Sequence, residues 1–462
     1  MKDLYKLYAI GFFKIFFLFS ALSAESIPSF STGVKIGEVS ENSAIVWTRL
    51  TSVSSPDFDN LNSAPGSRGS VQVSYWVQNL EKNQILLDPV VVDEAADFTS
   101  QIHLKALTPN THYSLQLSAF STEGSPGETI RASFKTAPAQ DQVADVCAVV
   151  VTCQGHETID KPKKGHWAYS HMRRQDPDFF IHTGDVVYYD RWEAMPLSKN
   201  KTQARQRWNK MFSYAWNQEF HKQVSSYFMK DDHDTLKNDC WPGQVYGELT
   251  WDDGLQLFKE QTPQGPLPYR KVRWGKDLEF WMMEGRDFRS ANTIPDSPNK
   301  TILGKAQKEW LKKTVLESDA TFKLIVFPSP VVGPDKKGKS DNHSNLGFKN
   351  EGDELRQFIA SIPNAFVVCG DRHWQYASKD PETGLTEICC GPINNAHSKR
   401  GGNANGNPDY HLYYGGGKGG YLRLNIKREN GTPKIHFVWH GDITTNGKIN
   451  HELSFLAKSA NP

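Results

Sequence analysis

An excess of charge of either sign is missing from this chain: 53 Lys and Arg stand against 52 Asp and Glu, a net charge of +1, with no long block of either sign. A polyanion-binding surface would have to be local, so nucleic acid is not favoured as a main partner. Cysteine is scarce, at 6 in 462 residues, and no two are spaced as CxxC. That argues against a structural zinc, a dithiol redox motif and a disulfide framework. Cys147, Cys369, Cys389 and Cys390 lie in or beside apolar runs, as small buried residues do, whereas Cys153 sits at the exit of a predicted strand next to Gln154. Beyond the first two dozen residues no apolar run approaches 18 residues, so no later membrane-spanning helix is expected. There is no internal repeat and no low-complexity tract.

The N-terminus does carry a pattern. Lys2 and Lys6 precede an apolar stretch through Phe19, followed by the small residues Ala21, Ser23 and Ala24, the layout of a secretory signal peptide over residues 1–24. Lys14 leaves a core too short to span a bilayer, so the chain is expected to be exported, to a periplasm, a cell surface or the medium. At 462 residues two domains are the default, and 38% hydrophobic with 23% charged residues is ordinary for a globular protein. Seven short β-rich runs occupy residues 34–135, among them AIVWTR (44–49), VQVSYWV (71–77) and HYSLQLSAF (112–120), divided by Gly, Pro, Asn and Ser. They predict a β-sandwich over residues 25–140. Its LTPNTHY segment (107–113) is similar to the tyrosine corner of fibronectin type III modules, with Trp47 available as a core anchor.

After the linker TAPAQDQ (136–142) the pattern changes to strands alternating with helices, which places an α/β domain over residues 141–462. Strands are predicted at 145–152, 178–183, 227–229, 278–283, 322–327 and 365–369, and helices at 165–175, 304–317 and 351–362. The first two strands and the helix between them form a βαβ unit. Strand-like runs at 385–390, 421–426 and 435–439 close the domain, and the Gly- and Asn-rich residues 401–420 predict a mobile loop. Four short polar runs follow strands: TCQ (152–154), GDVVYYD (184–190), DDHD (231–234) and GDRH (370–373). Together they bring Cys, Asp, Tyr and His to strand ends, the way an α/β sheet gathers ligands for two or more metal ions.

With these runs, and with LGKAQKEWLKKTVLESDATFK at 303–323, residues 145–426 resemble the metallophosphatase family of alkaline phosphatase D, the PhoD-like phosphatases and phosphodiesterases. The resemblance implies a layered metallophosphatase-like α/β fold flanked by helices and preceded by a fibronectin type III-like domain. It puts Cys153 at an iron-binding thiolate, Asp185 at a bridging carboxylate, Tyr188 at an iron-binding phenolate, and Asp232, Asp371 and His373 at further ligand positions. Fe(III) and Ca²⁺ are the implied metals, with Zn²⁺, Mn²⁺ or Mg²⁺ as alternatives. His233 falls where an acid would assist the phosphate or the leaving oxygen, unless it is a structural histidine bonded to Asp234. Arg286 would clamp a phosphate or pair with a nearby carboxylate, and Asp341 would be a further ligand. Tyr189 is expected to pack, Asp190 to serve a turn, and His166, His171 and His182 to fill structural roles.

Several neighbouring types depart from the family pattern: Lys230 and Asp231 precede the site, Asp234 follows it, and Glu284, Gly285, Asn342 and His343 stand where other types are usual. The metal-binding types persist while the types around them change, which leaves the leaving-group pocket, and with it the substrate, open. An exported phosphoesterase acting on mono- or diesters is the expectation. The alternative is a catalytically silent protein on the same fold that binds a metal, a glycan or a wall polymer.

Overall fold

The computed structural model describes residues 27–192, 195–335, 338–401, 410–442 and 447–458. The expected signal segment, residues 1–24, and part of the predicted loop, residues 402–409, lie outside them.

The first lobe is built from β1 (Val34–Gly37), β2 (Ala44–Arg49), β3 (Gly69–Val77), β4 (Ile85–Leu86), β5 (Val90–Val92), β6 (Thr99–Leu104), β7 (His112–Phe120) and β8 (Pro126–Lys135). One sheet runs β4–β3–β7–β8, with β5 also on β3, and faces β1, β2 and β6. Alternation along the strands turns one side of each inward: Val71, Val73 and Tyr75 of β3 and Leu115, Leu117 and Ala119 of β7 meet Ile36, Val46 and Ile102. The Tyr113 hydroxyl accepts from the Thr108 amide at 2.9 Å, closing the tyrosine corner of a fibronectin III-like domain.

Trp47 is not part of that core. It neighbours Val46 on β2, so the pleat points it to the opposite face. There its Nε1 donates to the Glu260 carbonyl at 2.8 Å and the Lys35 ammonium lies 3.1 Å from its ring centre. Trp47 anchors the junction with the second lobe.

The second lobe comprises β9 (Val146–Val151), α1 (Trp167–Arg173), β10 (Phe179–His182), α2 (Lys201–Ser213), α3 (Ala215–His221), β11 (Ser225–Phe228), α4 (Trp251–Gln261), β12 (Arg270–Trp274) and β13 (Leu278–Met282). It continues through α5 (Gly304–Leu316), β14 (Phe322–Phe327), α6 (Lys349–Ala360), β15 (Ala365–Cys369), β16 (Gln375–Lys379), β17 (Thr386–Cys389), β18 (His411–Gly415), β19 (Gly420–Glu429), β20 (Thr432–Gly441) and β21 (Ile449–Leu456). β18 falls within the segment predicted as loop. Two sheets pack face to face, one of them in the order β12–β13–β14–β15–β17–β16–β18. The other runs β21–β20–β19–β9–β10–β11–β1–β2–β6, so β1 of the first lobe pairs in parallel with β11 and the sheet crosses the linker.

Strand alternation divides the apolar side chains among layers. Val146, Ala148 and Val150 of β9 and Phe322, Leu324 and Val326 of β14 fill the space between the sheets. Val149 and Val151 turn outward against Tyr169, Trp208 and Phe258 of α1, α2 and α4, and Ile325 and Phe327 turn against Leu311 of α5 and Leu355 of α6. The result is a metallophosphatase-like α/β sandwich with helices outside both sheets.

Candidate metal centre

The ligand candidates stand where parallel strands end. β9, β10 and β11 lie side by side in one sheet, and β13, β14 and β15 in the other. Their following loops converge closely: a Cβ on Gly370 would lie 2.5 Å from Thr183 Oγ1 and 2.7 Å from Thr152 Oγ1. Glycine at 370 is what permits the approach. At Gly184, with φ of +116°, a Cβ would lie 2.7 Å from that of Asp231.

Cys153, Asp185 and Asp371 all adopt left-handed backbone, with φ of +50°, +59° and +60°, a conformation uncommon for residues with a Cβ and concentrated at functional sites. The loops holding them are tied together. Cys153 N donates to Gly184 O at 3.2 Å and Gln154 N to Asp185 O at 3.0 Å. The Asp234 carboxylate accepts from Val186 N at 2.9 Å and Asp231 N at 2.7 Å. Asp234 thus pins the GDVVYYD loop to the DDHD loop.

Two groups of donor atoms result, each contained within 4.8 Å: Cys153 with Asp185 and His373, and Asp185 with Asp232 and His233. Asp185 belongs to both. Its Oδ1 is buried without a hydrogen-bond partner, and burial pushes its carboxyl up to about 6. Burial also lifts the Cys153 thiol and the Tyr188 phenol well above their ordinary values. A cation would relieve each of these penalties, holding thiol and phenol deprotonated and satisfying the orphaned oxygen. The donor set therefore fits a metal. Tyr188 is fully buried and lies 3.0 Å through its hydroxyl from His397 Nε2.

His233 Nδ1 lies 2.5 Å from Asp190 Oδ1, and its ring packs 4.4 Å from that of Tyr188. Burial opposes the imidazolium, but Asp232, Asp185 and Asp190 outweigh it and lift His233 to about 10. Asp190 is therefore more than a turn residue: its second oxygen accepts from Asn238 N at 2.7 Å, so it fixes the imidazole from outside. The alternative pairing of His233 with Asp234 is not formed, because both Asp234 oxygens accept backbone amides. Burial works to raise Asp232, yet His233 and Arg286 hold its carboxyl well below the usual range.

Other expected residues stand apart. Asp371 is in neither donor group, and its carboxylate contacts the guanidinium of Arg372, the third residue of GDRH. Arg286 is 1% exposed and committed to protein: Nε donates to Asp231 at 2.7 Å and Nη1 to Cys240 O at 3.2 Å. Of its two expected roles, the structure shows the pairing with a carboxylate. Asp341 lies 3.5 Å from Lys339 Nζ, outside both groups. Tyr189 packs, its hydroxyl accepting from Trp208 Nε1 at 2.6 Å. His166 and His182 are buried and neutral, each pushed down to about 3 by burial. His171 bonds the Tyr421 hydroxyl at 2.7 Å through Nδ1.

Sequence reading missed His397, whose ring lies 4.5 Å from that of His373. It sits in a short 3₁₀ turn after β17, capped by Asn394, and no motif marks it. Arg372 was visible inside GDRH, but nothing local showed that it would meet Asp371.

Comparisons with known proteins bear on the family and the fold. The family model for PhoD-like phosphatase matches residues 148–432, and that for the PhoD-like phosphatase N-terminal domain matches residues 19–138. Alkaline phosphatase D of Bacillus subtilis (strain 168) is 23% identical over 410 residues, covering 78% of this chain and 67% of that protein. A solved structure of PhoD superposes with a TM-score of 0.74 at 18% identity, covering 94% of this chain and 91% of the other. The purple acid phosphatase PPD1 from yellow lupin (Lupinus luteus) seeds follows at 0.65 and 12%, covering 92% and 74%. At these identities the two structures speak for the fold alone, while the match of the family model over more than half the chain speaks for descent. The chain belongs to the PhoD-like phosphatase family.

Proposed function

We propose that the protein is an exported, metal-dependent phosphoesterase that hydrolyses phosphate mono- or diesters with water. The observation that carries this is Asp185, a buried carboxylate shared by two donor groups and left with an orphaned oxygen. Cys153, Tyr188, Asp185 and His373 form a set suited to Fe(III), with thiolate and phenolate alongside carboxylate and imidazole. Carboxylate oxygens of Asp185 and Asp232 suit Ca²⁺, and would serve Zn²⁺, Mn²⁺ or Mg²⁺ as well. Asp371, whose Oδ2 lies against the Arg372 guanidinium and has no hydrogen-bond partner, would add a further carboxylate to that set. When bound, such ions supply Lewis acidity, lowering the pKa of water and neutralising charge on the phosphate.

The chain's own residues do the rest. Asp190 holds Nδ1 of His233, which leaves Nε2 to protonate the departing alcohol oxygen. Arg286 stays with Asp231 and lies 3.9 Å from Asp232, so it steadies the carboxylates. Export is supported by the charged, apolar and small-residue pattern of residues 1–24.

Hydrolysis of 4-nitrophenyl phosphate and bis(4-nitrophenyl) phosphate, with elemental analysis of the same sample, tests the proposal. Hydrolysis by an iron-containing, visibly coloured protein is expected, with the colour lost in Tyr188→Phe. Activity no higher than a metal-matched blank would replace the hydrolase with a silent binding protein. A colourless, active zinc protein would remove iron alone. Recovery from the exported fraction of a chain lacking residues 1–24 would support export; a full-length protein inside the cell would reject it.

A further inference from the structure

With Arg286 committed to Asp231, the centre needs another group to grip the phosphate. The other guanidinium groups nearby are buried against protein oxygens. Arg289 donates to Asn292 Oδ1 at 2.7 Å and to the Asp341 carbonyl. Arg372 donates to Asp335 and lies against Asp371, its buried Nε and Nη2 being without a hydrogen-bond partner. Arg191 differs. Its guanidinium carbon lies 4.4 Å from the centre of the Tyr188 ring; the Arg191 carbonyl accepts from Arg207 Nη2 at 3.2 Å, but among the described residues the guanidinium itself has no hydrogen-bond or ion-pair partner. Tyr188, Asp185, Cys153 and Asp190 all favour its charge electrostatically, and Asp185 is the carboxylate shared by both donor groups. Arg191 is half-buried, while Trp192, next in the chain, is 72% exposed.

A half-buried cation with no ion-pair partner among the described residues is costly unless a ligand supplies the charge. Stacking on an aromatic face uses the flat side of a guanidinium and leaves its edge donors free for the forked hydrogen bonds that phosphate accepts. We infer that Arg191 is the substrate-gripping residue of this site, donating to non-bridging phosphoryl oxygens while the Tyr188 ring holds it in place. Residues 185–191 then carry the shared carboxylate, the phenol, the carboxylate that orients His233 and the phosphate grip on one loop. This assignment rests on the phosphoesterase proposed above.

The test uses the full chain with its metals, quantified first by elemental analysis. Inorganic phosphate is titrated calorimetrically into the wild type, Arg191→Ala and Arg191→Lys, and KM and kcat are measured for 4-nitrophenyl phosphate. Arg191→Ala should weaken phosphate binding and raise KM about 10- to 100-fold, as expected for loss of a charge-assisted contact. Metal content and the Tyr188-dependent colour should persist, and Arg191→Lys should recover part of the loss. Unchanged phosphate affinity and KM at full metal content would overturn the assignment. So would a variant that loses fold or metal while its intact fraction binds phosphate normally, since that would make Arg191 a support for Tyr188. A wild type that binds phosphate but hydrolyses no ester would reject the phosphoesterase, and the phosphate titration would still decide Arg191. A wild type that does neither would reject both.

Discussion

At the scale of single residues, the centre is a set of buried groups whose charges balance only in company. His233 is the sharpest case, because Asp190 grips one nitrogen at 2.5 Å while Asp232 and Asp185 raise its affinity for a proton. His233→Ala should retain metal yet lose roughly 10²- to 10⁴-fold in turnover on alkyl phosphates, the usual scale of general-acid assistance. The loss should shrink for nitrophenyl esters, whose leaving groups depart without a proton. Equal losses on both would assign His233 to phosphate binding. Arg286→Ala addresses the opposite kind of group: it strands the 1%-exposed side chain of Asp231 without its partner, and breaking a buried pair from one side costs about 3–5 kcal/mol. Urea unfolding of this variant should show that loss before any kinetic effect is interpreted.

At the scale of elements, Glu351 in the first turn of α6 ties two helices together. Its carboxylate accepts from the Ile302 amide at 2.6 Å, ahead of α5, and from His343 Nε2 at 2.9 Å. Burial alone would raise the group, but the His343 and Thr301 bonds and the Ile302 amide win and hold it down at about 2, against an ordinary 4.5. A depressed carboxylate adds stability above its unfolded pKa and loses it as the pH falls through the folded one. Between about pH 4.5 and 2 the wild type should therefore lose on the order of 3 kcal/mol that Glu351→Gln never had. Thermal melting across that range should give a flatter acid limb for the variant; parallel limbs would exclude Glu351 as the cause. The tyrosine corner is a smaller device, and Tyr113→Phe, which removes one hydrogen bond to Thr108 N, should cost about 1 kcal/mol.

At the scale of the whole molecule, the fibronectin III-like lobe is welded to the site-bearing lobe. β1 pairs with β11, Trp47 and Lys35 lie beneath residues 260–261, and Asp97 joins Arg49, Asn209 and Gln261. β11 leads directly into DDHD, so the first lobe buttresses the strand that presents Asp232 and His233. Heating should therefore give one cooperative transition, coincident by circular dichroism and calorimetry. Trp47→Ala should lower that single transition by the equivalent of about 3–5 kcal/mol. Two separated transitions, with only the first displaced, would show that the lobes fold independently.

Much of this was legible in the chain before folding. The period-2 strands, the βαβ unit, the tyrosine corner and the four polar runs are local patterns, because a strand's burial and a turn's backbone are set by a few neighbouring residues. Family resemblance then named Cys153, Asp185, Tyr188, Asp232, His233 and His373, and folding brought all six to one place. What the chain could not declare were contacts between residues far apart in it. The face on which Trp47 lies depends on a sheet shared across the linker. The roles of Asp190, Arg286 and Asp371 depend on whether His233, Asp231 and Arg372 come within reach. His397 arrives beside Tyr188 from 209 positions away. Local sequence sets which side chains a strand end offers, while the partner of a buried charge is chosen by whichever group the assembled sheets bring within about 3–4 Å, where pairing offsets desolvation.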